Sequence, residues 1–301
     1  MNPTSPVAID LSRLPPPDAI LPLDHPTLLA EFVTGFIGYW TELRATRPDL
    51  PAFTVESLAT DPAIVVGRIT AFLRLQDRAA VNAAVRAVLA PLARGADLDN
   101  VVARMGVVRL ETAPGVMETD EQLFRRYLLS FGRASAGSID RILFDAHTAW
   151  PAMWDARVNG FAVHGRRGEI DLVISGPAGV TPPEKLAAVR AAVTAPSAKP
   201  EAIGMFVLAA TPLTYAVAQT IRVPVGPDAE LVRLEAVARV AAASDVRHLI
   251  GGTIQRDLVA GASYGASIVG VNHATPAADV IATPYQIPVR TGIAIDVEVI
   301  G

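Results

Sequence analysis

The feature that most constrains this chain is a change of hydrophobic period after Trp150. Upstream, apolar residues recur every three to four positions, the repeat of a helix face. Leu28, Leu29, Phe32, Val33, Phe36, Ile37, Trp40 and Leu43 form one such row. Downstream, Leu213, Tyr215, Val217, Gln219, Ile221 and Val223 alternate, which places them on one face of a strand. A chain that changes period in this way predicts an α+β fold, with a helical N-terminal half followed by small α/β domains.

The boundaries follow from local signals. Residues 1–26 are rich in proline and read as an extended N-terminal arm without a core of its own. Residues 27–150 read as a helical domain. Pro48 and Pro51 end its first helix, and Asp61-Pro62 starts the next as an N-cap followed by proline. That second helix is expected to run from Asp61 to about Ala93, roughly 45–50 Å at 1.5 Å per residue. A further helix is expected from Asp97 to Met105. Thr119, with Gln122 three residues on, has the pattern of a capping box, and another helix is expected after Ser138.

Residues 151–210 and 211–301 read as two α+β domains. Met153 to Val163 and Glu169 to Ser175 are expected to pair as a hairpin through Gly165–Gly168. Thr181-Pro182-Pro183-Glu184 caps a helix to about Val193. Strands are expected at Met205 to Ala209, Leu213 to Val225, Tyr264 to Val271 and Ile293 to Ile300. Helices are expected at Pro227 to Ser244 and at His248 to Ala260.

Composition narrows the chemistry. The chain has no cysteine, which removes thiolate metal sites, disulfides and cysteine nucleophiles. A formal net charge of −4 gives no electrostatic footprint for nucleic acid. Met1 to Asp10 lacks the basic and apolar regions of a signal peptide. No apolar run approaches the ~20 residues of a membrane span, so no membrane partner is expected. The positive mean hydropathy of +0.35 comes from alanine and valine, and suggests surface buried against partners.

A reacting centre is hard to assemble from what remains. Gly261-Ala262-Ser263-Tyr264-Gly265 matches the G-x-S-x-G of hydrolases, which makes a serine hydrolase using Ser263 the alternative reading. That motif needs a strand before the serine and a helix after it; here the expected order is reversed. His25, His147, His164, His248 and His273 show no metal-site spacing. No phosphate-binding glycine loop is present. Asp97, Asp99, Asp120 and Glu121 lie near expected helix starts, where carboxylates suit the helix dipole. The pairs Arg125-Arg126 and Arg166-Arg167 read as solvated or partner-facing. No catalytic residue, cofactor or metal is expected.

The long second helix carries an apolar face too broad for a small domain. Ile64, Ile69, Phe72, Leu73, Val85 and Leu89 are candidate partner-interface residues on it. Ordinary intramolecular core fits the same pattern.

Ordered blocks of the sequence resemble a known family. Gly95-Ala96-Asp97-Leu98-Asp99, continuing through Met105-Gly106-Val107 to Arg109-Leu110, is the first. Thr119 to Arg126, Ser135-Ala136-Gly137-Ser138, Glu169 to Gly176 and Leu249 to Arg256 follow in order. Together these resemble the baseplate assembly protein J family of contractile-tailed phages, over roughly residues 60–300. Lys199 to Gly204 is an altered version of the block the family carries there.

The resemblance implies a structural baseplate wedge subunit of a phage tail or related injection machine. It would pair as a homodimer within each wedge, in a ring of six wedges. Its amino-terminal helices would bundle with a tail protein I-like wedge protein, beneath a sheath-initiating lysozyme-like baseplate protein. The implied location is the virion tail baseplate, assembled in the bacterial host cytoplasm.

Overall fold

The computed structural model describes residues 15, 17–54, 59–133 and 137–300. Most of the expected arm, and Ser135 and Ala136, lie outside them. The described residues divide into two compact units, one ending at Arg104 and the other beginning at Met105. The fold is α+β as the period change implied: the first half is mainly helical and small sheets follow.

The first unit holds α1 (His25–Thr46), α2 (Pro62–Val88) and α3 (Gly95–Ala103). The Asp61 side chain accepts from the Ala63 N–H at 2.9 Å, so the expected N-cap forms. α2 stops at Val88, short of the expected Ala93, and Leu89–Leu92 turn before α3. Gly67 lets α1 approach: a Cβ there would lie 2.5 Å from the Phe32 ring. Leu28, Ile64, Gly67 and Ala71 form the buried seam. Asn82 is buried too, and clasps the backbone of Leu21 from both sides. Its Oδ1 accepts from the Leu21 N–H at 3.0 Å and its Nδ2 donates to the Leu21 carbonyl at 2.8 Å.

The second unit begins with a short hairpin, β1 (Glu111–Ala113) and β2 (Val116–Met117), followed by α4 (Asp120–Ser130) and α5 (Ile139–Ala149). The capping box at Thr119 and Gln122 is complete, with both reciprocal bonds present. Next come β3 (Asp155–Asn159), the short α6 (Phe161–His164), β4 (Glu169–Ser175), α7 (Pro183–Val193) and β5 (Gly204–Ala209). β3 and β4 pair antiparallel, as expected, but β3 ends at Asn159 and α6 occupies the rest of the expected strand. β5 joins β4 in parallel, giving the order β3-β4-β5.

The remainder is β6 (Thr211–Pro224), α8 (Ala229–Asp245), β7 (Thr253–Ile254), α9 (Arg256–Ala262), β8 (Gly270–Thr275), β9 (Val280–Ile281) and β10 (Gln286–Ile300). Its main sheet has the order β10-β6-β8, with β10 parallel and β8 antiparallel to β6. The alternation expected of β6 holds, with Tyr215, Val217, Gln219, Ile221 and Val223 all buried. All but Gln219 pack on Val232, Ala236 and Val240 of α8 and Val259 of α9. The helix expected over 248–260 does not form. A turn at His248–Gly252 and the strand β7 take its place, and only Arg256 onward is helical.

Candidate assembly surfaces and a buried polar latch

α2 has two faces of opposite fate. Ile64, Gly67, Ala71 and Asn82 are buried on one. On the other, Ile69, Phe72 and Leu73 are 57, 51 and 54% exposed, with Val65 and Val66 beside them. A helix apolar on its outward side as well as its inward side has surface that its own unit does not cover. Of the six candidate interface residues, Ile69, Phe72 and Leu73 lie on this open face. Ile64 is buried in the unit's own seam, and Val85 and Leu89 are half-buried.

In the second unit, β4 is buried along most of its length, from Asp171 to Ser175. Val173 joins Ile250, Ile287 and Ala210 in a small core. Around it, polar bonds tie Trp154, β3 and β4 to segments some hundred residues away. Asp155 Oδ2 accepts from the Ile250 N–H at 2.7 Å, and Arg157 donates to the Ile250 carbonyl at 3.2 Å. Asn159 Nδ2 donates to the Pro284 carbonyl at 2.9 Å, and the Tyr285 hydroxyl donates to Asp171 at 2.7 Å. The Trp154 indole N–H donates to the His248 carbonyl at 2.6 Å.

This latch explains the turn. Gly251 has φ +75°, and a Cβ there would fall 2.3 Å from Arg157 Nη1. A Cβ on Gly252 would fall 2.3 Å from the Arg247 carbonyl oxygen. Both positions therefore need glycine, and a helix through them would forfeit the Asp155 and Arg157 bonds. Burial pushes the Asp155 carboxyl above its ordinary pKa, against the pull of the Ile250 N–H. Neither the latch residues nor their partners stand out in the sequence. The one local signal was the pair Gly251-Gly252.

A second polar cluster is ionic. Arg126 meets Glu118 at 2.6 Å with both side chains buried, and Glu118 also accepts from the Leu110 N–H at 2.9 Å. Arg126 lies over the Phe144 ring. The expectation that Arg125-Arg126 is a solvated or partner-facing pair is therefore corrected for Arg126, which neutralises a carboxylate inside the fold. Nearby, burial and the positive charge of Arg125 and Arg126 push His147 down to about 3.

Ser263 does not sit on a nucleophile elbow. It is fully buried just after α9, so a helix precedes it, and its hydroxyl donates to Gln219 Oε1. Gln219 Nε2 in turn bonds the Val259 carbonyl at 3.2 Å and His273 Nδ1 at 2.9 Å. The amide thus stands between serine and histidine, and no base reaches the hydroxyl directly. Among the described residues, no group of three His, Asp or Glu side chains could hold a metal, and no helix is long and apolar enough to cross a membrane.

Comparison with known proteins points to baseplate proteins. Residues 59–115, which span α2, α3 and β1, match the model of the Baseplate J-like N-terminal domain. More particularly, the chain is similar to baseplate protein J of Escherichia phage P2, at 28% identity over 292 residues, covering 92% of this chain and 94% of that protein. Both findings bear out the resemblance drawn from the ordered sequence blocks.

Proposed function

We propose that this chain is a structural wedge subunit of a contractile phage tail baseplate or a related injection machine, mediating wedge assembly and contacts between wedges. The observation that carries this reading is the exposed apolar face of α2, which falls inside the stretch matching the family model. Ile69, Phe72 and Leu73 are the contact residues on it. Ile64, Val85 and Leu89 support the face from beneath or at its border. The partners are a second copy within the wedge, in a ring of six wedges, a tail protein I-like wedge protein, and a sheath-initiating lysozyme-like baseplate protein. The arm (1–26), the helical part (27–150) and the two α+β parts (151–210 and 211–301) act as separate contact modules. The protein resides in the virion tail, after assembly in the bacterial cytoplasm.

The test is a photo-crosslinking amino acid placed at Phe72 in assembled particles. Cross-linked peptides from a second wedge protein, or from another copy of this chain, are expected. Cross-links confined to residues 9–104 of the same copy would overturn the assignment of this face.

A further inference from the structure

The edge of a β-sheet presents a row of unpaired N–H and C=O groups, and folded proteins normally cover or interrupt it. β10 is the edge strand of the β10-β6-β8 sheet, and its two halves are treated differently. The first half is covered at its start, where Gln286 is bonded on both backbone groups, and carries Pro288, which has no N–H. The Gly251 N–H donates to the Gln286 carbonyl, and Arg290 reaches across to the Ala241 carbonyl and to Asp245. The register then shifts between Arg290 and Gly292. Beyond this shift the Ile300 carbonyl accepts from the Val225 N–H on the β6 side. Residues of a strand alternate in the direction of their backbone groups. The even residues from Gly292 to Ile300 therefore face β6, and Ile293, Ile295, Val297 and Val299 point their N–H and C=O groups outward. Those groups have no partner among the described residues.

The side chains around this open row define what would complete it. Ile293, Ile295 and Val297 pack on the core shared with α8. The flank of α8 on this side is marked by Ala241 and Asp245, which Arg290 contacts. One and two turns back along the same line lie partly buried Val237 and exposed Leu234. An added strand would lay apolar side chains against that flank and against Val299, itself 55% exposed. On the opposite face, Asp296 and Glu298 are both exposed. Glu298 is paired with Arg222 at 2.9 Å. Asp296 has no hydrogen-bonded or ion-paired partner among the described residues, and Arg233, which feels its charge, is already bonded to Glu230. No proline or lysine interrupts the stretch; of the usual devices that blunt an edge, it carries the two carboxylates, with the register shift standing at its start.

We propose that the open half of the β10 edge, residues 293–299, is a strand-addition site for an extended segment of a partner protein that is apolar on one face and basic on the other. Main-chain bonds to the outward-facing residues supply the attachment, and the alternation of side chains supplies the selectivity. The inference rests on strand chemistry alone and does not depend on the role assigned to α2.

The test uses the full chain and a labelled, end-capped peptide alternating valine and lysine over ten residues, with a peptide of the same composition arranged in blocks as control. In the free chain, amide exchange is expected to be fast at 293, 295, 297 and 299 and slow at the even positions between them. Addition of the alternating peptide is expected to slow the odd positions, with saturable anisotropy that the block peptide does not give. Val297→Pro removes an outward N–H, a substitution that edge strands tolerate. It is expected to weaken binding at least tenfold, and Asp296→Lys at least threefold. Equal affinity for Val297→Pro, absence of saturable binding, or slow exchange at the odd positions of the free chain would overturn the proposal. The last outcome, with a mass that rises with concentration, would mean that a second copy already fills the edge. The exchange pattern decides the matter even if a variant fails to fold.

Discussion

Replacing Gly251 with alanine tests the latch at its tightest point. The left-handed backbone there, at φ +75°, costs a Cβ-bearing residue about 1–2 kcal/mol. The new methyl would also fall 2.3 Å from Arg157 Nη1. The arginine is the yielding partner, since the contact is with the end of a flexible side chain. Yielding breaks its bond to the Ile250 carbonyl, at 3.2 Å. A hydrogen bond from a charged donor is worth about 1.5–3 kcal/mol. Gly251→Ala alone should therefore cost about 2.5–5 kcal/mol, the sum of backbone and hydrogen-bond terms. In an Arg157→Ala background only the backbone term survives, and the same change should cost about 1–2 kcal/mol. Urea unfolding of the four proteins closes a double-mutant cycle with a coupling of about 1.5–3 kcal/mol. Equal costs in the two backgrounds would refute the role given to Arg157. A total cost below about 0.5 kcal/mol, the level of ordinary surface substitutions, would refute the latch itself.

Three further outcomes are expected. Burial lowers the pKa of His147 to about 3, against 6.5 when exposed, so below 6.5 the unfolded chain gains a proton that the folded chain refuses. Stability from this residue is complete above that value and falls by up to about 1.4 kcal/mol per pH unit toward pH 3. His147→Leu should flatten the difference in stability between pH 7 and pH 5, and an unchanged slope would contradict the assignment. Asn82→Ala removes both bonds to Leu21 and should cost about 1–3 kcal/mol, with faster exchange of the Leu21 amide; unchanged exchange there would mean the clasp does not hold. Ser263→Ala should lower stability by about 1–3 kcal/mol, because Gln219 loses a buried partner, and the parent chain should not react with a fluorophosphonate probe. Labelling at Ser263 would revive the hydrolase reading.

The elements legible in the sequence are those fixed by local chemistry. Thr119 with Gln122, and Asp61 with Pro62, name their helix starts without help from the rest of the chain. The alternation from Tyr215 to Val223 names its strand and its buried face. What sequence reasoning missed depends on distant partners. Ile250, Ile254 and Leu258 have helical spacing, yet Ile250 is drawn into a turn by Asp155 and Arg157, and Thr253-Ile254 pairs with Val280-Ile281. The strand expected over 264–271 forms instead at Gly270–Thr275, where register with Ala218–Arg222 is available. The α2 face was visible as a broad apolar row. Its division was not: only packing against α1 separates buried Ile64 from exposed Ile69 and Phe72.

The central claim is that this chain is an assembly part whose open helical face is covered by partners. Native mass spectrometry of the full chain, alone and co-expressed with the products of its neighbouring genes, tests it most directly. A complex holding more than one copy of this chain with a second baseplate protein is the expected result. An Ile69→Asp, Phe72→Asp double variant is expected to remain folded but unassembled. A lone monomer indifferent to its co-expressed neighbours, or a double variant that assembles as well as the parent, would contradict it.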